Sequence, residues 1–247
     1  MPDSCQFEFE IRHLIEENPK ELINKIKLYA KENLLANMHK VSSKTDIHFK
    51  EKVTYPGLSI DADSTDVKSV NKAVRDVIAT FGRIDILVNN AQIEFAKPFP
   101  EVTEIEWQQL IDFNVKSMFL WSQSVGKLMI DQNKGRIVNM CSGLASRGLS
   151  NSVVYCVTQG AVRQMTSALA IEWAKSNVRV NAIGAGWMST DLHAVESKKE
   201  LLVRYIPSKR KGHPTDLCGL LVYLSSDACD FVTGQTIFID GGAMAHA

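Results

Sequence analysis

Apolar and polar positions follow two periods along most of the chain, and these periods predict strands separated by helices. Residues 67–82 form the clearest helical pattern, because apolar side chains recur at helical spacing before Gly82, a residue typical of a helix end. The apolar positions of this helix are Val70, Ala73, Val74, Val77 and Ile78. Short β-branched runs predict strands at residues 84–91, 135–142, 178–186 and 235–242, and the first of these runs predicts a fully buried parallel strand.

The alternation of strands with long helices at residues 104–133 and 154–175 indicates the fold class. It predicts an α/β fold with a doubly wound parallel sheet that helices cover on both faces. Such a sheet binds ligands just beyond the carboxyl ends of its strands. The candidate site therefore consists of the small and polar residues that follow the predicted strands: Asn89, Asn90, Ser142, and Gly184 to Gly186.

The pattern of apolar and polar residues in residues 1–56 differs from that in residues 57–247. Phenylalanine and glutamate alternate at residues 7–10, which predicts a strand with one wet face. A helix is predicted from Asn18, with Pro19 in its first turn, Glu21 completing a capping box, and an apolar stripe of Leu22, Ile26, Tyr29 and Ala30. We expect one domain, in which residues 1–56 form an atypical N-terminal segment that is degenerate or replaced.

The strand predicted at residues 84–91 needs a neighbour on each side. Backbone groups left unsatisfied at its edge would cost roughly 1–3 kcal/mol each. We expect residues 7–11 or residues 53–60 to supply that neighbour, or the sheet to be shortened there.

Composition narrows the function classes. Twenty-eight basic and 28 acidic residues give a net charge of zero, so nothing favours nucleic acid or an anionic membrane as a partner. The five cysteines include no CxxC pair, which favours free thiols in a cytoplasmic protein over disulfides or a metal site. No apolar run is long enough to span a bilayer.

Six motifs in order carry a family resemblance, beginning with DILVNNA at residues 85–91 and Asn114 in FNV. The others are GRIVNMCSG, YCVTQG, VRVNAIGAGWMST and VTGQTIFIDGG, and Ser142 precedes Tyr155 by thirteen positions. Together they resemble the short-chain dehydrogenase/reductase family, from about residue 57 to the C-terminus. The resemblance implies a Rossmann-like sheet and an oxidoreductase that uses NAD or NADP.

The resemblance also implies roles for individual residues. Tyr155 would exchange a proton with the substrate oxygen, Ser142 would polarise that oxygen, and Asn114 would hold a water in the proton path. Gln159 stands where the family has a lysine. The cofactor would contact a further set by resemblance: Asp63, Asn90, Ala91, Gln92, Gly186 and Thr190.

The departures from the family concern the cofactor. No TGxxxGxG motif is present, since no glycine precedes Gly57, and Gln92 and Ala185 replace a family glycine and proline. Gln159 can donate to a ribose hydroxyl but cannot supply the lysine's positive charge. Tyrosine without a cationic neighbour titrates near ~10. Alcohol oxidation, which needs tyrosinate, should therefore suffer more than carbonyl reduction, which needs the neutral phenol.

The predicted function is NAD(P)-dependent interconversion of a carbonyl and an alcohol on a small polar substrate, with a weakened cofactor site. The resemblance points to a sugar acid, a polyol or a 3-oxoacyl thioester, with residues 191–207 as a helical lid. The alternative is a catalytically inactive structural or regulatory subunit. A third hypothesis is that residues 1–56 do not belong to the ancestral domain.

A homodimer or homotetramer is expected through the two long helices. Their surplus apolar surface would be buried between subunits, and it is supplied by Trp107, Phe119, Trp121, Met129, Val162, Met165 and Trp173.

Overall fold

The computed structural model describes residues 19–40, 42, 46–49, 63–189 and 201–245. The chain divides into two compact units, Met1–Ile60 and Asp61–Ala247. In the first unit, α1 (Pro19–Tyr29) continues through a π-helical turn (Ala30–Leu35) into α2 (Ala36–His39). The helix predicted to begin at Pro19 is thus confirmed, whereas its cap at Asn18 and the strand predicted at residues 7–11 lie outside the described residues. The predicted apolar stripe is wrong in part, because Ala30 is buried but Ile26 and Tyr29 are exposed.

The second unit contains a parallel four-stranded sheet among its described residues, with strands in the order β1-β2-β3-β4. The strands are β1 (Ile86–Asn89), β2 (Gly135–Ser142), β3 (Val178–Ala185) and β4 (Thr236–Ile239). β2 and β3 pair over their whole length, from Gly135 opposite Val178 to Ser142 opposite Ala185. All four strands fall within the segments predicted from the sequence.

Helices flank the sheet. They are α3 (Val67–Phe81), α4 (Glu104–Ile111), α5 (Ser117–Asp131), α6 (Val153–Trp173), α7 (Leu201–Tyr205) and α8 (Cys218–Ser225). Short 3₁₀ turns lie at Phe99–Glu101, Gly143–Ala145, Ala174–Ser176, Pro214–Leu217 and Asp227–Cys229. α3 begins at an Asp66 cap and ends at Gly82, which adopts the left-handed conformation at φ 79°. A π-helical turn (Asp112–Lys116) joins α4 to α5 within the long helix predicted at residues 104–133.

The core has apolar clusters on both faces of the sheet, as a doubly wound fold requires. On one face, α3, α5 and α6 pack against β2 and β3 through Val70, Met129, Ile137, Trp173 and Val180. On the other face, α8 and the turn after it cover the same strands through Val138, Met140, Ile183, Leu224 and Cys229. None of the helices in the described ranges is long and apolar enough to cross a membrane.

The prediction that the strand at residues 84–91 is fully buried is wrong. Ile86 is 45% exposed and Val88 39% exposed, whereas the first seven residues of β2 are all buried. The physical reason is coverage of one face: exposure alternates along β1, so Leu87 packs against the core cluster while Ile86 and Val88 lie on the other face of this edge strand, where little of the described chain covers them. Residues 7–11 and 53–60, expected to supply a second neighbour, lie outside the described residues.

The apolar surface expected between subunits is smaller than the sequence suggested. Met129, Val162 and Trp173 are buried within this chain, whereas Phe119 is 43% exposed. Phe119, Met165 and Leu169 instead help to line a cavity of about 390 Å³ between α5 and α6.

Candidate active site

Ser142 and Tyr155 lie at the carboxyl end of β2, the strand that pairs with both β1 and β3. Ser142 is the last residue of β2, and its Oγ accepts a hydrogen bond from the Leu144 N–H at 3.2 Å, which turns the chain into a 3₁₀ turn. Tyr155 lies in the first turn of α6 and is 8% exposed. The loop between them brings the start of α6 back beside the carboxyl end of β2.

The phenol of Tyr155 is held in its neutral form. Burial raises its pKa to about 12, the Glu94 carboxylate acts in the same direction, and a hydrogen bond with the Ser142 side chain opposes both. The hydroxyl donates a hydrogen bond to Oε1 of Gln92 at 3.3 Å. A neutral phenol beside a serine hydroxyl can donate a proton to a carbonyl oxygen, whereas it is a poor base at neutral pH.

Asn114 lies in the π-helical turn between α4 and α5 and is 4% exposed. Its side-chain oxygen accepts the Ile93 N–H at 2.7 Å, and its Nδ2 donates to the Ile93 carbonyl at 2.9 Å and to Thr158 Oγ1 at 3.3 Å. Asn114 therefore fixes the backbone beside Gln92 and ties it to α6. Extra-residue turns of this kind are common at functional sites.

Gln159 is fully buried, and its neutral side chain does not supply the positive charge of the family lysine. Its Oε1 accepts the Ser142 N–H at 2.8 Å, and its Nε2 donates to Thr158 Oγ1 at 3.5 Å. A lysine could not accept the Ser142 N–H, because an ammonium group has no acceptor. Position 159 thus anchors the end of β2 to α6.

Thr158 connects these residues, although sequence reasoning did not single it out. Its Oγ1 donates to the Tyr155 carbonyl at 2.8 Å and receives bonds from both Asn114 and Gln159. The signal for Thr158 is its position, three residues after Tyr155 on the inward face of the helix.

A second buried network fixes the end of β1. Asn89 Nδ2 donates to Asn139 Oδ1 at 2.8 Å and to Ser122 Oγ at 3.1 Å, and Asn139 Nδ2 donates to Thr166 Oγ1 at 2.9 Å. Asn139, Ser122 and Thr166 are nearly or completely buried. Strand β1 is thus joined to β2, α5 and α6 by side chains as well as by its ladder.

A cavity of about 300 Å³ lies at the carboxyl end of β1. Its polar lining includes the following residues: Ser64, Asn89, Asn90, Gln92, Asn114 and Ser117. Trp121 and Met118 are among its apolar walls. The structure therefore brings Asn90, Ala91 and Gln92 to one cavity. Gln92 also joins that cavity to the Tyr155 hydroxyl.

Two other cofactor candidates, Asp63 and Gly186, are not among the described residues that line this cavity. Asp63 accepts hydrogen bonds from the N–H and the hydroxyl of Thr65, and the N–H bond chiefly holds the pKa of the Asp63 carboxyl below its ordinary value. Gly186 donates its N–H to the Ile239 carbonyl, and a Cβ at Gly186 would lie 2.6 Å from the Asp240 Cα. Thr190 lies outside the described residues.

Among the residues that the structure describes, no group of three or more histidine, cysteine or acidic side chains could hold a metal ion. The described cysteines are free: Cys141, Cys156, Cys218 and Cys229.

The chain is similar in sequence to several known proteins. Residues 32–244 match the family model described as enoyl-(acyl carrier protein) reductase, so the match begins upstream of residue 57. The chain is 40% identical over 204 residues to 2-dehydro-3-deoxy-D-gluconate 5-dehydrogenase of Dickeya dadantii, covering 79% of this chain and 81% of that protein. It is 33% identical over 192 residues to NAD-dependent glycerol dehydrogenase of Listeria innocua, covering 75% and 74%.

A solved structure shows the same fold. The gluconate 5-dehydrogenase of Burkholderia cenocepacia, in complex with NADP and tartrate, matches with a TM-score of 0.71 and 32% identity over 75% of this chain and 74% of that one. The ordered motifs, the parallel sheet and these matches together show that the chain belongs to the short-chain dehydrogenase/reductase family.

Proposed function

We propose that the chain is an NAD(P)H-dependent reductase of small polar carbonyl compounds, with sugar acids as its first substrate class. The observation that carries this proposal is the neutral Tyr155 hydroxyl, which lies between Ser142 and a cavity at the carboxyl end of β1. The sugar-acid class comes from the relatives, which include a 2-dehydro-3-deoxy-D-gluconate dehydrogenase and a gluconate 5-dehydrogenase.

Each residue of the site has a task in carbonyl reduction. Tyr155 donates its phenolic proton to the substrate oxygen, and the Ser142 hydroxyl donates a hydrogen bond that polarises the same oxygen. Gln159 holds the Ser142 backbone through the Ser142 N–H, and Asn114 holds the backbone of Ile93. The Tyr155 hydroxyl donates a hydrogen bond to the Gln92 amide, and this bond has to break when a substrate oxygen takes the place of the amide oxygen.

The described residues fit part of a dinucleotide. A bound nicotinamide cofactor supplies the hydride that the carbonyl carbon accepts. The cavity of about 300 Å³ is at the small end of the ~300–1,000 Å³ range of ligand pockets, so it suits one half of the cofactor better than the whole. Asn90, Ala91 and Gln92 would contact it there. The sequence has no glycine-rich turn for the pyrophosphate, so we expect weak binding.

A second candidate is a subunit without catalytic turnover. The specific observation in its favour is that no lysine stands four residues after Tyr155, since the buried Gln159 occupies that position and accepts the Ser142 N–H. We also propose that the chain forms a homodimer through α5 and α6, where exposed Phe119 and the cavity of about 390 Å³ offer apolar surface. Free cysteines support a location in the cytoplasm.

The test is oxidation of millimolar NADPH and NADH with 5-keto-D-gluconate and with neutral ketoses. We expect turnover, and we expect Tyr155→Phe to reduce it by roughly 10²–10⁴-fold, the usual contribution of a positioned proton donor. Thermal unfolding of the variant serves as the control for folding. Turnover unchanged in Tyr155→Phe would refute the assigned role, and no turnover with any ketone would leave the non-catalytic subunit as the better account.

Light scattering at micromolar concentration tests the dimer separately. A monomer at that concentration would refute the dimer without affecting the proposed reaction.

A further inference from the structure

The contacts of the Arg147 side chain suggest a role beyond stabilising the fold. It lies in the loop between the 3₁₀ turn after Ser142 and helix α6. Its Nη1 donates to the Tyr205 hydroxyl at 2.6 Å and to the Ala243 carbonyl at 3.2 Å. Its guanidinium carbon lies 5.7 Å from the ring centroid of Trp187 and 5.3 Å from that of Tyr205.

The two rings form a corner around this guanidinium. Trp187 and Tyr205 meet edge to face, with centroids 5.6 Å apart and planes at 87°. Both hold the cation by cation–π attraction and restrict its side-chain freedom. Such restriction lowers the entropy that Arg147 would lose on gripping a ligand.

Two donor groups of the Arg147 guanidinium have no partner among the described residues. Within the part of the chain that the structure describes, Nε and Nη2 of Arg147 have no hydrogen-bond acceptor, and no carboxylate pairs with its charge. The buried Arg136 differs in this respect, since its guanidinium pairs with Asp227 and Asp230. A planar guanidinium with two donors on one side matches a carboxylate.

The position of Arg147 relates it to the candidate active site. Trp187 follows the end of β3 by two residues, and the last residue of β3, Ala185, pairs with Ser142 at the end of β2. Neighbouring strands lie about 4.8 Å apart, so the corner adjoins the sheet edge that carries Ser142. Glu94 places a negative charge near Tyr155, which would turn a substrate's carboxylate away from the phenol.

We propose that Arg147 binds the carboxylate of the substrate and thereby selects sugar acids over neutral polyols. The inference rests on the proposed function and specifies its substrate class. The carbonyl end of the substrate would then face Tyr155 and Ser142, and its carboxylate would accept bonds from Nε and Nη2 of Arg147. Trp187 and Tyr205 act as positioning residues for the guanidinium.

The test measures binding of D-gluconate and of D-glucitol, which share a six-carbon chain but differ in charge. Ligand-observed NMR with and without NADP⁺ compares the wild type with Arg147→Met, Arg147→Lys and a control variant. Arg75→Gln is that control because it removes one positive charge from an exposed position on a different element, helix α3. Thermal unfolding reports whether each variant folds.

We expect the wild type to bind gluconate more tightly than glucitol. Arg147→Met should weaken gluconate binding by roughly 10- to 100-fold with little effect on glucitol, since it loses charge-assisted hydrogen bonds. Arg147→Lys should keep part of the preference, and Arg75→Gln should keep all of it. Equal weakening of both ligands would indicate a purely structural role, and a wild type without preference, or an unchanged Arg147→Met, would overturn the proposal.

NADPH oxidation, measured as the loss of NADPH fluorescence on addition of a sugar acid, separates this inference from the proposed function. A chain that prefers gluconate through Arg147 but never turns over NADPH would lose the reductase function and keep the carboxylate site. Turnover of sugar acids without an effect of Arg147→Met on gluconate binding would keep the reductase function and refute the carboxylate site.

Discussion

The carboxyl ends of β2 and β1 lie side by side in the same sheet and are built differently. β2 has a strand on each side, its first seven residues are buried, and its last residue, Ser142, is anchored to α6 through Gln159. β1 is half as long and pairs with one strand among the described residues, and Ile86 and Val88 are well exposed. The proton-transfer side of the site thus rests on the core, and the cofactor side rests on an exposed strand.

This difference has a functional consequence. A site on rigid, packed elements keeps its catalytic geometry better than one on a lightly supported edge. The buried bonds of Asn114, Thr158 and Gln159 hold Ser142 and Tyr155 in place without a ligand. The cavity beside β1 depends on Asn89 and its bonds to Asn139 and Ser122. We therefore expect the proton donor to be preorganised and the cofactor to be held weakly.

The largest effect should come from Gln159→Lys, which restores the family residue. The variant leaves the half-buried Ser142 N–H without its acceptor, at a cost of up to about 1–3 kcal/mol, and burial of an ammonium group at position 159 adds to that cost. Chemical denaturation should show the loss in the free energy of unfolding, without a gain in reductase activity. Gln164→Lys, on the exposed face of the same helix, should be within about 0.5 kcal/mol of wild type. A Gln159→Lys variant as stable as the control and more active than wild type would contradict this account.

Truncation of one valine in each strand sharpens the comparison. Val138 in β2 is completely buried, whereas Val88 in β1 is 39% exposed. Val138→Ala should lower the free energy of unfolding by about 2 kcal/mol, from lost burial and the space left behind. Val88→Ala should lower it by less than about 1 kcal/mol. Equal losses would show that β1 is as well supported as β2.

The smallest effect concerns pH. Because the pKa of Tyr155 is raised to about 12, the phenol stays protonated and the reduction rate should change by less than about twofold between pH 6 and 9. Alcohol oxidation needs tyrosinate and should rise about tenfold per pH unit over the same range. The raised pKa also stabilises the fold below the ordinary tyrosine pKa of ~10, and this contribution is lost as the pH rises through about 12. An oxidation rate that levels off within this range would contradict the raised pKa of the phenol.

The regular part of the fold could be predicted because its signals are local. The helix ending at Gly82 and the β-branched runs of β2 and β3 follow from spacing alone. The burial of β1 could not be predicted, because it depends on which elements from distant parts of the chain cover each face of the strand, and no local pattern carries that information.

The candidate site was predictable in its residues and not in its contacts. Ser142, Asn114 and Tyr155 stand out by spacing and resemblance. The acceptor role of Gln159 and the central position of Thr158 depend on which faces of β2 and α6 meet. Arg147 has no spacing signal at all, because Trp187 and Tyr205 reach it from distant parts of the sequence.

The most direct test of the central claim is a calorimetric titration of the 247-residue chain with NADPH. A pyrophosphate held without glycine-turn N–H groups loses several charge-assisted hydrogen bonds of about 1.5–3 kcal/mol each, and every 1.4 kcal/mol weakens binding about tenfold. We predict a Kd of roughly 1 mM or weaker, together with reductase turnover that saturates only at such concentrations. Saturation at low micromolar NADPH would contradict the claim that the cofactor side is the weakly built half of this site.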